Sequence, residues 1–229
     1  MDFEHYKISD MPVEDIKTLI PQAIELLQSY SVNKIKAFRA GGYSFPNDAI
    51  FLNILRKYAI DIDTSVLKGA KVSSKYQTYN YTTVPSLSPY HFEDNLCTSE
   101  VDGYFTEYPI STITMIGYRY WLLKRTLNQH YSSFSCIEKF GDGRGIGIPG
   151  DKFARIMNKI KRLFTFSVIS ATIDGAFSQY LENVYRHNIS NHNNNSFVII
   201  GHPKNLSERS IEIFENFINA HRELEFCIF

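Results

Sequence analysis

A short apolar run that stops at a charge and two glycines frames this chain. Lys34 to Phe38 reads as a buried strand, and Arg39 leaves its carboxyl end ahead of Ala40-Gly-Gly-Tyr-Ser44. Gly41 and Gly42 carry no Cβ, so the backbone can turn sharply there or approach a ligand closely. The flanking residues set a rhythm. From Pro12 to Ser29, Ile16, Leu19, Ile20, Ala23, Ile24 and Leu27 fall at helical spacing, with Pro21 interrupting the pattern. After the first strand, Pro46-Asn-Asp48 opens a second helix, Ala49 to Tyr58, with Ile50, Phe51, Ile54 and Leu55 facing inward, and Ile60 to Asp63 is a short strand. Helix, strand, helix, strand with short links predicts βαβ packing on a parallel sheet. Ligands gather at the carboxyl ends of such strands. Arg39, Tyr43 and Ser44 are therefore candidate site residues. A plain glycine turn with Arg39 in a surface ion pair accounts for the same letters.

Further on the rhythm breaks. Gly69 to Gly103 is rich in Tyr, Ser, Thr and Pro and predicts a long functional loop. Tyr104 to Ile116 predicts a strand with Glu107 near its start, followed by a helix from Gly117 to Leu127. Ser132 to Phe140 reads as a short strand or an extended loop, Gly141 to Gly150 as a glycine loop, and Asp151 caps a helix to Lys161. Leu163 to Ile173 is β-branched and ends at Asp174, and a helix is expected over Ser178 to His187. A polar Asn-rich loop precedes the apolar run Phe197 to Ile200, which leads straight into Gly201-His-Pro203. Ser207 to Glu223 predicts a helix and Phe226 to Phe229 a last strand. No repeat, linker or shift of composition divides the 229 residues, so one domain over 1–229 is expected.

Composition narrows the function. Lys plus Arg number 24 and Asp plus Glu 24, so the net charge is zero. That argues against broad electrostatic binding to nucleic acid or an anionic membrane. Cys97, Cys136 and Cys227 are odd in number and form no C-x-x-C pair, which points to a reducing, cytoplasmic setting rather than a disulfide scaffold or a cysteine zinc site. The amino terminus has no basic and apolar leader pattern, and no apolar run reaches the roughly 18 residues of a membrane span. The 15 Tyr and 17 Phe suit amphipathic binding surfaces for sugar or peptide.

Four constellations could carry chemistry. Arg39 and His202 each follow an apolar strand, and in a parallel barrel such ends meet on one face. A histidine held between Gly201 and Pro203 can serve as a general acid or a metal ligand. Asp61, Asp63, Glu107 and Asp174 form an acid set near strand ends, where a carboxylate can orient a histidine, bind a sugar hydroxyl or cap a turn. Gly145-Ile-Gly-Ile-Pro-Gly150 matches a dinucleotide fingerprint in letters. Pro149 removes an amide donor there, and Asp151 puts a negative charge where a pyrophosphate needs a positive helix end. The histidines form no H-x-x-x-H or H-E-x-x-H pair, and no G-x-S-x-G is present.

Phe38-Arg-Ala-Gly-Gly-Tyr-Ser44, the helix after it and Ile62-Asp-Thr-Ser-Val66 resemble the middle of the polysaccharide deacetylases, the NodB-homology fold of carbohydrate esterase family 4. Gly103-Tyr-Phe-Thr-Glu-Tyr-Pro-Ile-Ser111 and Gly201-His-Pro-Lys204 are similar to a capsule- and O-antigen-associated branch. The resemblance implies a deformed (β/α) barrel, here incomplete at its amino-terminal side. It implies a divalent metal, usually zinc, that polarises an acetyl carbonyl and activates water. It also implies a sugar or polysaccharide substrate. By the match, Arg39 orients a catalytic aspartate, His202 protonates the leaving group and Asp63 is an acidic position near the site. Tyr43, Ser44, Tyr90 and Glu107 are the candidate substrate contacts. The family's aspartate pair and metal histidines should precede Arg39, where this chain offers only Asp2, Asp10, Asp15 and His5. The metal ligands are thus unknown, and the isolated chain is expected to release no acetate. The alternatives are a glycan-binding pseudoenzyme, with Tyr43, Tyr79, Tyr81 and Tyr90 stacking on sugar, and a nucleotide-binding α/β protein. An incomplete barrel would expose strand edges, so self-association is expected.

Overall fold

The computed structural model describes residues 7–74, 77–127, 163–190 and 196–227. The expected extended run Ser132 to Phe140, the glycine loop, the helix from Asp151 to Lys161 and most of the Asn-rich loop lie outside the described residues. So do the last two residues of the expected final strand, whose Phe226 and Cys227 are not in a strand. The chain is mixed α/β and separates into two compact units at Ile110/Ser111.

The first unit carries the predicted alternation: α1 (Val13–Tyr30), β1 (Ala37–Phe38), α2 (Ala49–Lys57) and β2 (Ile62–Asp63). Asp48 starts α2 by accepting hydrogen bonds from the Ile50 and Phe51 amides at 2.9 and 3.1 Å, which satisfies donors that a helix start leaves open. Its buried face is Phe51, Leu52 and Leu55. Helix α1 buries only Ile16, with Ile20 and Ile24 partly covered on the same row, while Leu19 and Leu27 are exposed. The expected apolar face is therefore wider than the one the helix buries.

The stretch expected as one long loop has structure of its own. β3 (Lys71–Ser73) and β4 (Thr78–Asn80) pair antiparallel, and β5 (Tyr90–Phe92) follows. In β4 the side chains alternate exposed, buried, exposed around Tyr79, the period of a half-buried strand. β6 (Phe105–Glu107) completes a sheet of order β1-β2-β6-β5. β1 and β2 are parallel, as the alternation predicted; β6 adds to them in parallel after a connection that holds no helix among the described residues, and β5 runs antiparallel to β6. Among the described residues these strands close no barrel. The core of this unit is aromatic and aliphatic: Phe51, Leu52, Leu55, Phe92, Phe105 and Ile110 are each at most 1% exposed. Each such side chain contributes about 1.5–3 kcal/mol by leaving water.

The run expected as one strand over Tyr104 to Ile116 is two. β6 ends at Glu107, and β7 (Thr112–Ile116) begins the second unit. Pro109, between them, has no amide to offer a ladder. In the second unit β7 pairs antiparallel with β8 (Phe166–Ser170), from Thr112↔Ser170 to Ile116↔Phe166. α3 (Gly117–Leu127) follows β7 directly. A 3-10 stretch, Gly175–Tyr180, leads into α4 (Leu181–Ile189), where one helix was expected from Ser178. The apolar run before Gly201 pairs through a single parallel bridge, Thr172↔Ile200. α5 (Glu208–Ala220) is closed by a capping box between Ser207 and Ser210. Ile169, Ala171, Leu181, Val184, Tyr185 and Phe217 form this unit's core.

Candidate functional site

In the first unit the register aligns Phe38, Asp63 and Glu107 across β1, β2 and β6. One residue beyond Phe38 stands Arg39. The parallel sheet thus brings Arg39, Asp63 and Glu107 to one carboxyl edge, where such sheets hold ligands. Arg39 is exposed, and its guanidinium lies 5.5 Å from the centroid of the Tyr43 ring. Tyr43 reaches that place with a backbone φ of 60°, next to Gly42 at 58°. A left-handed tyrosine is uncommon.

Asp63 and Glu107 are 1% and 0% exposed. The Asp63 carboxylate accepts from the Ser65 amide at 2.9 Å and the Ser65 hydroxyl at 2.8 Å. The Ser65 oxygen in turn accepts from the Ala40 amide at 2.8 Å. Glu107 Oε1 accepts from the Val66 amide at 3.0 Å. Glu107 Oε2 is buried with no protein donor among the described residues. Its side-chain neighbour is Asp63. Burial holds the Glu107 carboxyl well above its usual range, and the Asp63 charge and hydrogen bond add to this. The Val66 amide and the Arg39 charge oppose it. Burial also raises Asp63, against the hydrogen bonds it receives from Glu107 and Ser65.

The remaining candidates of this unit are built into its interior. Ser44, 4% exposed, accepts from the Thr78 amide at 3.1 Å and donates to the Gly42 carbonyl at 3.4 Å. Tyr90, 2% exposed, donates to the Leu96 carbonyl at 2.6 Å. Tyr81 donates to the Tyr43 carbonyl at 2.7 Å and stacks on Tyr79, ring centroids 5.1 Å apart. Tyr79, Tyr81 and Tyr90 are buried, so their ring faces pack against protein. Of the four tyrosines proposed for sugar stacking, Tyr43 alone is partly exposed.

His202 belongs to the second unit and has its own acidic partner. Its Nδ1 lies 2.6 Å from Asp174 Oδ2, and its backbone amide donates to Asp174 Oδ1 at 2.7 Å. The carboxylate therefore grips both ring and main chain. Thr172 fixes this carboxylate's segment: its Oγ1 accepts from the Asp174 amide at 3.1 Å and donates to the Ile200 carbonyl at 3.0 Å. The two segments approach closely at Gly201, where a Cβ would stand 2.5 Å from Ile173 Cγ1. With Nδ1 donating to Asp174, Nε2 carries the lone pair, and it has no partner among the described residues. The imidazole can take or give a proton there, at a side chain 44% exposed.

Sequence reasoning placed Asp174 among the acids and His202 at a strand end, but did not join them. It missed Ser65 and Thr172 altogether. Both leave a local signature, Asp-x-Ser at 63–65 and Thr-x-Asp at 172–174, the spacing at which a side chain binds the backbone two residues away.

Zinc needs three or four nitrogen, sulfur or carboxylate donors in one place. Among the described residues no three His, Cys, Asp or Glu side chains form such a group, so the metal of the resembled family finds no fitting donor set there. No helix of the described residues is long and apolar enough to cross a membrane. No family model, no curated protein and no solved structure matches this chain.

Proposed function

We propose that this chain is a polysaccharide deacetylase-like protein that binds an acetylated glycan and presents His202 to the leaving group. The observation that carries this reading is the double grip of Asp174 on His202, at 2.6 and 2.7 Å. A carboxylate on Nδ1 fixes the tautomer, aims Nε2 and stabilises the imidazolium. That is what a general acid needs when an amine or alkoxide departs. The parallel strands β1, β2 and β6 support an α/β fold of the deformed-barrel type, with Arg39 at its carboxyl edge. A metal of the parent family would polarise the acetyl carbonyl. The described residues offer no donor set for it, so no step is routed through one.

The test pairs binding with turnover. Acetylated chitooligosaccharide is titrated calorimetrically into the 229-residue protein, and acetate is assayed with and without added zinc. Saturable binding, weakened about tenfold by His202→Ala (~1.4 kcal/mol) and less by Asp174→Asn, is expected without acetate release by this chain alone. Absence of binding to any acetylated or deacetylated glycan overturns the reading. Zinc-dependent acetate release would show that the chain holds a complete metal site and overturns the incomplete-site part.

A further inference from the structure

We propose that Asp63 and Glu107 share a single proton, and that this acid–carboxylate pair locks the carboxyl ends of β1, β2 and β6 together. Four observations carry it. The residues are register partners on adjacent parallel strands. Both are almost wholly out of water. The donors around them are accounted for: Ser65 gives its amide and hydroxyl to Asp63, and Val66 gives its amide to Glu107 Oε1. That leaves Glu107 Oε2 with no donor from the protein among the described residues. Two carboxylates are acceptors only, so a contact between them in a dry interior holds when one carries a proton. Glu107 is the acid of the pair and donates to Asp63, which already receives two hydrogen bonds as a carboxylate.

The lock has a clear geometry. Asp63 holds Ser65, Ser65 holds the Ala40 amide, and Glu107 holds Val66. Three strand exits are tied to one buried proton, and Arg39 is the residue beside Ala40. Removing the proton puts two negative charges side by side in the core. Glu107 titrates above its unfolded value. Its contribution to stability is therefore full below that unfolded value and is lost as pH rises through the folded one. The groups that face the pair are Arg39 beyond β1, Tyr90 on β5 and Tyr81 after β4. All of them remain in a Glu107→Gln variant, so a difference between the two proteins reports the pair itself. The glutamine amide also reproduces the acid: its carbonyl accepts from Val66 and its NH2 donates to Asp63.

Infrared difference spectra of wild type against E107Q, at about pH 7, read the proton directly. The expected result is a protonated carboxyl C=O band in wild type that is gone in E107Q. Thermal unfolding from about pH 6 to about pH 10 reads its consequence. Wild type loses midpoint temperature with rising pH more steeply than E107Q, and the two curves cross so that E107Q is the more stable at the alkaline end. E107A, which leaves the Val66 amide without its acceptor and Asp63 without its neighbour across the strands, is less stable than E107Q throughout. A wild-type spectrum without the band overturns the proposal. So do parallel pH curves for wild type and E107Q, or an E107Q variant that does not fold.

Discussion

An alanine Cβ at position 103 would stand 2.5 Å from the carbonyl carbon of Phe92 and 2.6 Å from its oxygen. Those atoms belong to the backbone of β5 and cannot swing aside. Gly103→Ala should therefore cost about 2 kcal/mol, as overpacking does. Gly41 is the opposite case, with nothing within 4 Å of the added atom. Gly41→Ala should be neutral or stabilising by about 0.5 kcal/mol, through the reduced freedom of the unfolded chain. Urea unfolding of both variants checks the pair; equal costs would refute the steric account. Both glycines look alike in the sequence, because a clash with a residue eleven positions away is a tertiary fact. The acid set shows the same divide. Asp63 and Glu107 were legible as acids near strand ends, but burial decides that they face each other instead of solvent.

At the scale of elements, helix termini carry much of the second unit's polar chemistry. His221 follows α5 directly, its Nε2 2.9 Å from Glu182 in the first turn of α4 and its Nδ1 3.3 Å from Glu223. Its ring packs against Tyr185 and Phe217, at 4.3 and 4.7 Å between centroids. The hydrogen bond to Glu182 raises the imidazole's pKa; burial opposes this and Glu223 adds to it. A cation at a helix carboxyl end is also favoured by the helix dipole. Because the folded value is raised, the stabilisation is full below the unfolded value. It is lost as pH rises through the folded one. Thermal unfolding followed across neutral pH should show that loss in wild type and a flatter curve in His221→Gln; equal slopes would refute it. The helix ends were largely readable, α2 from Asp48 and α5 from Ser207, since caps act over three residues. The break between β6 and β7 was less so: both halves are β-branched and aromatic, and a single Pro109 marks the boundary.

For the whole molecule, equal numbers of acids and bases and an isoelectric point near 7.0 leave no net repulsion at neutral pH. Leu26, Leu27 and Tyr30 of α1 are 60%, 60% and 84% exposed, and β1 is an edge of its sheet among the described residues. Unpaired edges and apolar surface favour association when charge does not oppose it. Light scattering should therefore show self-association strongest near neutral pH and reduced as the protein gains net charge on either side. A clean monomer at high concentration near pH 7 would refute this. What the sequence determined by itself is local: most of the helices, their caps, the alternation that makes β1 and β2 parallel, and the strand end at Arg39. Periodicity and capping act over a few residues, so they can be read from letters. The tertiary structure decided which groups meet: Asp174 with His202, Glu107 with Asp63, and Tyr79, Tyr81 and Tyr90 inward. It also decided the two compact units, which no change of composition announces. Those outcomes depend on burial and on contacts between residues distant in the chain, which periodicity does not encode. Arg39 at its strand end remains the feature that the first apolar run announced, now beside a buried pair of acids that holds the strand exits in place.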